Sequence, residues 1–167
     1  MRGFARIAAA IAVFFFCFAS LFCFASLPAS AQTTGAVLDD ASLKTMLDGL
    51  GYEIKPLSKG FLVTSKVDTW SLYIQAVLSP DGTKLGLNAN LGEVNDLSAV
   101  PAKKWLDLLV SNGQIDPSTF YVDRDTKKVY LHRVLDNRSI TPVFLRSQLQ
   151  NFSNDIIKTA DLWDMTK

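Results

Sequence analysis

Residues 60–91 read GFLVTSKV-DT-WSLYIQAVLS-PDGT-KLGLNANL. Three strand-like runs are joined by two short turns. In the third, Leu85, Leu87, Ala89 and Leu91 alternate with Lys84, Gly86, Asn88 and Asn90. Successive side chains of a strand point to opposite faces, so this run has one apolar and one polar side. The second run keeps the phase: Trp70, Leu72, Ile74, Ala76 and Leu78 on one side, Ser71, Tyr73, Gln75, Val77 and Ser79 on the other. The first sets Phe61, Val63 and Val67 against Leu62, Thr64 and Lys66. Pro80-Asp81-Gly82-Thr83 is a strong turn signal, because Pro presets φ and Gly permits positive φ. The stretch predicts an antiparallel meander with one face buried and the other largely wet.

Working outward, Asp39 and Asp40 are placed to cap a short helix whose apolar positions are Leu43, Met46, Leu47 and Leu50, with Gly51 ending it. Tyr52 to Leu57 reads as an edge strand, because Pro56 cannot donate to a ladder. After an irregular connection, Pro101 opens a second helix with a predicted apolar stripe of Ala102, Trp105, Leu106 and Leu109. Phe120–Val122 and Val129–Leu135 read as a hairpin. Thr141-Pro142 then opens the longest helix, with Leu145, Leu149, Phe152, Ile156 and Ala160 continuing to Trp163. The order α-β-β-β-β-α-β-β-α predicts an α+β fold: an antiparallel sheet of five to six strands with helices packed on one face.

Residues 1–31 have the pattern of a secretory leader. Arg2 and Arg6 precede an apolar run rich in Ala and Phe from Ile7 to Phe24, and Ala29-Ser30-Ala31 offers small residues for cleavage after Ala31. A periplasmic or secreted location is expected, with residues 32–38 as a mobile lead, 39–167 as a single domain and no stable membrane span after cleavage. Removing 31 of 167 residues leaves 136, and the loss of Arg2 and Arg6 leaves 15 basic residues against 16 acidic ones. That balance has no electrostatic footprint for nucleic acid. Both cysteines, Cys17 and Cys23, leave with the leader, which excludes a disulfide framework or a Cys nucleophile in what remains.

Catalytic signatures are sparse. His132 is the only histidine and has no nucleophile or carboxylate at matching spacing, so it reads as an exposed or hydrogen-bonded strand residue. Asp123-x-Asp125 followed by Lys127 and Lys128 lacks the Gly and the distal Glu of a calcium loop and reads as a solvated hairpin tip. Gly-rich phosphate loops and nucleophile elbows do not occur. Asn137-Arg-Ser139 matches a glycosylation sequon. Trp70, Trp105 and Trp163 each fall on an apolar stripe, which predicts core packing. On the polar side of the meander, Tyr73, Gln75, Val77, Asn88 and Asn90 are expected to share one face. An uncharged face with a tyrosine has the composition of a recognition surface, and the solvated side of a one-sided sheet has it too.

The full pattern resembles the YbjN-like family, often named bacterial sensory transduction regulators and similar in fold to type III secretion chaperones. The residues that carry the resemblance are Leu47-x-x-Leu50-Gly51, the strand Trp70 to Leu78, the turn Ser79 to Leu85, and the helix from Val100-Pro101 to Asn112. The strand pair at Phe120 and Val129 and Ile140-Thr-Pro142 complete it. The resemblance implies a non-enzymatic α+β domain, often dimeric, with no catalytic residues and no cofactor. The secretion chaperones are cytoplasmic and acidic, whereas this chain reads as exported and nearly neutral. The expected function is an exported protein-binding or chaperone-like module with a polypeptide partner and a possible homodimer. The alternative is a periplasmic carrier of a small apolar or amphipathic ligand, which requires a cavity between helix and sheet.

Overall fold

A computed structural model describes residues 37–163. The leader, with Ala29 and Ala31, lies outside them, as do residues 32–36 and 164–167. The described chain runs α1 (Asp40–Gly49), β1 (Glu53–Pro56), β2 (Phe61–Val67), β3 (Trp70–Leu78), β4 (Lys84–Glu93), α2 (Ala102–Asn112), β5 (Ser118–Asp123), β6 (Lys128–Asp136), a 3-10 turn (Asn137–Ser139), α3 (Pro142–Lys158) and the short α4 (Ala160–Trp163). Six antiparallel strands lie in the order β1-β2-β3-β4-β6-β5. Among the described residues no helix is long and apolar enough to cross a membrane.

The predicted caps are present. The Asp39 carboxylate accepts from Ser42 N at 2.7 Å, and Thr141 Oγ1 accepts from Phe144 N at 3.2 Å, each satisfying an orphan donor of the first turn. Gly51, at φ +80°, follows the end of α1. In the Pro80–Thr83 turn the Asp81 carboxylate accepts from Ser79 Oγ (2.5 Å), Thr83 N (3.1 Å) and Thr83 Oγ1 (2.9 Å). These bonds, Ser79 first, hold its pKa down at about 2.

The inner face of the sheet follows the meander's alternation. Phe61 and Val63, Leu72, Ile74 and Ala76, and Leu85, Leu87 and Ala89 are all buried. α1 contributes Leu43 and Leu47, and α3 contributes Leu145, Leu149, Phe152 and Ile156. Each fully buried side chain of this size contributes about 1.5–3 kcal/mol relative to exposure. One polar exception marks the crossing of β2 and α3. Ser65 and Ser153 are both buried, with their hydroxyls 2.8 Å apart. Ser153 donates to Leu149 O at 2.8 Å, so the proton between the two serines comes from Ser65.

Two apolar readings are corrected. Trp70 is 37% exposed rather than core-packed, because it starts β3 beside the Asp68-Thr69 turn. Trp105 and Trp163 are only partly buried, packed against the rim of the core. The stripe of α2 is Trp105, Leu108 and Ser111, not Ala102, Trp105, Leu106 and Leu109. Leu106 and Leu109 are 59% and 65% exposed. The helix packs beside β5 and α4 at one side of the sheet. Four apolar residues within positions 106–110 leave the periodicity without a unique face.

Asn137 closes the end of the sheet. It is fully buried, and its Nδ2 donates to Leu38 O and Gly82 O, both at 2.8 Å, while its Oδ1 accepts from Leu38 N at 3.3 Å. One amide thus ties the entry to α1, the β3–β4 turn and the exit from β6. The sequon asparagine is therefore inaccessible in the folded protein. Asn137→Ala strands two carbonyls and is expected to cost about 2–3 kcal/mol, read as a lower urea midpoint at unchanged m-value.

Candidate functional site

The outer face of the sheet is the surface that the helices leave open. Register fixes which residues share it. Gln75 lies opposite Leu62 and Asn88, Asn88 opposite His132, and His132 opposite Thr119. Tyr73 pairs with Thr64, Val77 with Gly86, Gly86 with Val134, and Asn90 with Tyr130, which pairs with Tyr121. The five residues read from the sequence, Tyr73, Gln75, Val77, Asn88 and Asn90, therefore lie on one face. Tyr73 is 61% exposed. The sequence reading missed the other half: Tyr121, Tyr130, His132 and Val134. They stand some forty residues further on, and only the β4–β6 pairing brings them alongside Asn88. Their alternation with Leu131, Arg133 and Leu135 was the available signal.

These side chains organise one another. Tyr121 and Tyr130 stack at 5.1 Å and 11°, and His132 meets Tyr121 edge-on at 6.1 Å. His132 Nδ1 bonds Asn88 Oδ1 across the strands at 2.5 Å. Gln75 Nε2 donates to Lys59 O at 3.1 Å, fixing the β1–β2 turn to the face. The centre of the face carries no Lys, Arg, Asp or Glu. Charges stand at its ends: Lys84 and Asp136, paired at 3.3 Å, at one, and Lys128 and Asp123 at the other. Depletion of charge at the centre with tyrosine present is the composition of an interface core inside a polar rim.

Burial holds the His132 imidazole below its ordinary value near 6.5, against a smaller opposing effect from a hydrogen bond with the Leu87 backbone. Well above about pH 6.5 both folded and unfolded chains carry it neutral. As pH falls through that value the unfolded chain takes up the proton first, so stability declines until the lower folded value is reached. Urea titrations between about pH 7 and about pH 5 are expected to show this decline in the wild type and a flatter profile in His132→Gln.

The edges of the sheet are less available than its face. On β1, Leu57 N donates to Gly60 O, which turns Glu53 and Lys55 toward β2 and leaves Tyr52, Ile54 and Pro56 facing outward. Tyr52 N already donates to Leu47 O at 3.3 Å, and Pro56 has no N–H. On β5, Ser118 N donates to Ile115 O at 2.8 Å and Phe120 N to Asn112 Oδ1 of α2 at 2.7 Å. Each edge retains a single outward N–H within its strand, at Ile54 and at Val122, which is too few to template a further strand.

At the hairpin tip, Asp123 Oδ1 accepts from Asp125 N at 2.9 Å and from Thr126 N at 3.2 Å, a turn-forming role. Among the described residues no group of three or more His, Cys, Asp or Glu is placed to hold a metal ion.

No protein-family description and no curated protein sequence matches the chain. Solved structures do. YbjN from E. coli superposes with a TM-score of 0.56 at 18% identity, covering 76% of this chain and 95% of that one. A chain of the ExsC–ExsE complex gives 0.54 at 16%, covering 74% and 95%. A chain of the HopA1–SchA chaperone–effector complex gives 0.50 at 13%, covering 70% and 93%. At such identities the likeness is one of fold alone. The six-stranded antiparallel sheet with its helices is a YbjN-like α+β fold, shared with chains of the ExsC–ExsE complex and the HopA1–SchA chaperone–effector complex.

Proposed function

We propose that this chain is an exported, non-enzymatic module that binds a polypeptide on the open face of its sheet. The observation that carries the reading is the uncharged tyrosine and amide face, rimmed by charge, on a sheet whose edges are largely closed. Its fold neighbours include a chaperone–effector complex, which supports a polypeptide as the class of partner. The carrier alternative needs a cavity between helix and sheet, and that layer is filled by Leu145, Leu149, Phe152 and Ile156. Export rests on the leader at 1–31, and N-terminal sequencing of the secreted protein is expected to begin at Gln32. The homodimer is tested by light scattering across micromolar concentrations, where a monomer mass throughout would remove it.

The face itself is tested by comparing polypeptides captured from an extracellular or periplasmic extract by the wild type and by Tyr73→Ala/Tyr121→Ala. Both tyrosines are exposed, so the double variant is expected to fold as the wild type does while capture falls at least about tenfold, as for loss of aromatic interface anchors. Equal capture by the two proteins would place binding elsewhere.

A further inference from the structure

The open face is not flat. Gly86 stands mid-strand on β4, between Val77 of β3 and Val134 of β6, and leaves a dent there. A Cβ at Gly86 would lie 3.4 Å from His132 Cε1 and 3.6 Å from Val77 Cγ1, ordinary contact distances, and its φ is not in the left-handed region. Neither the backbone nor the packing therefore requires glycine at this position. A glycine inside a strand weakens it, and it often marks a bulge, a bend or a site where a ligand or another backbone approaches closely. The dent opens into a surface hollow of about 1010 Å³.

The hollow is lined by charges of both signs. Asp39 and Asp40, Lys59 and Lys84 all line it, around the apolar Val77, Gly86 and Val134, and Lys84 is already paired with Asp136 at 3.3 Å. Asp39 accepts the Ser42 N–H and keeps its negative charge. Among the described residues neither Asp40 nor Lys59 has an ion-pair partner within 4 Å. An apolar floor lined by charges of both signs matches a ligand that is apolar at its centre and carries both charges beside it. A short polypeptide segment supplies that combination.

We infer that the hollow over Gly86 is the anchor subsite of the polypeptide site. It takes one branched or aromatic side chain, with a Lys or Arg of the bound segment facing Asp39 and Asp40 and an Asp or Glu facing Lys59. The inference rests on the reading that the face binds a polypeptide.

The test pans a phage-displayed random dodecapeptide library on protein purified after expression of the full chain. Selected peptides are expected to share an apolar residue with a basic and an acidic residue beside it. Gly86→Val fills the dent and is expected to weaken those peptides at least about tenfold, with the thermal midpoint unchanged or raised. Gly86→Ala, which fits without displacement, is the smaller step should Val perturb the fold, and is expected to weaken them a few-fold. Asp40→Asn and Lys59→Gln are expected to weaken them a few-fold at low salt and less at high salt. Peptides that bind the wild type, Gly86→Ala and Gly86→Val equally, but lose Tyr73→Ala, would overturn the anchor while leaving the polypeptide reading in place. A library that yields no peptide for the wild type would overturn both.

Discussion

Arg133→Met is expected to destabilise the protein by about 3–5 kcal/mol, the range for breaking a buried ion pair by removing one partner. Arg133 lies on the inner face of β6, between Leu131 and Leu135, and is buried. Its guanidinium reaches three groups on two other elements: Nε donates to Ser118 Oγ of β5 at 2.9 Å, Nη1 to Gln148 Oε1 at 2.8 Å, and Nη2 to Asp155 Oδ2 at 2.7 Å, the last two on α3. Ser118 Oγ donates to the same Asp155 oxygen at 2.8 Å, and the Phe152 ring lies 6.0 Å from the guanidinium carbon. Gln148, Phe152 and Asp155 are spaced i, i+4, i+7, so one face of α3 presents all three. Removing the cation leaves a carboxylate that is largely buried and a hydroxyl and an amide oxygen without their donor. Arg133→Met/Asp155→Leu removes both charges and is expected to recover most of the loss, because a desolvated pair exceeds an apolar replacement by little or nothing. Urea unfolding of the two singles and the double closes the cycle. A loss under about 1 kcal/mol for Arg133→Met would show that the cluster is hydrated and not a structural clamp.

Gly60→Ala is expected to cost about 4 kcal/mol through two independent causes. Gly60 holds φ +71°, where an L side chain costs about 1–2 kcal/mol. Its Cβ would also lie within contact of backbone that cannot rotate away, 2.1 Å from Ala76 O and 2.9 Å from Val77 Cα. The chain would have to move β2 away from β3 at the start of the meander, disturbing the Phe61–Ala76 pair. The control is Gly51→Ala, which shares the positive φ (+80°) but meets nothing within 4 Å, and is expected to lose only the conformational part. Equal midpoints for the two variants in thermal unfolding would show that the close approach at Gly60 relaxes at no cost.

These two sites also show which parts of the fold were legible. The meander, both caps, the hairpin and the α+β order follow from period-2 and period-3.6 patterns and turn chemistry, and they read correctly. Arg133 was not singled out, although alternation assigns it to the apolar face. A basic residue there makes sense only once α3 brings Gln148 and Asp155 across, a tertiary condition with no local trace. Ser65 was passed over for the same reason, since its partner Ser153 is 88 residues away. The face of α2 was misread because Leu106, Leu108, Leu109 and Val110 put apolar groups on several sides. Half of the candidate site was legible in β3 and β4. The rest depended on β6 lying next to β4, which no local pattern states.

The closed edges carry a consequence for assembly. A sheet that pairs edge to edge offers a fresh edge at each addition, so growth need not stop. Here Pro56, the Leu47 carbonyl, the Ile115 carbonyl and the Asn112 side chain occupy or remove most of the outward N–H positions. Edge-to-edge pairing is thereby disfavoured, and a self-complementary face is consumed when two copies pair. Any self-association is expected to end at a small closed number rather than in a fibre.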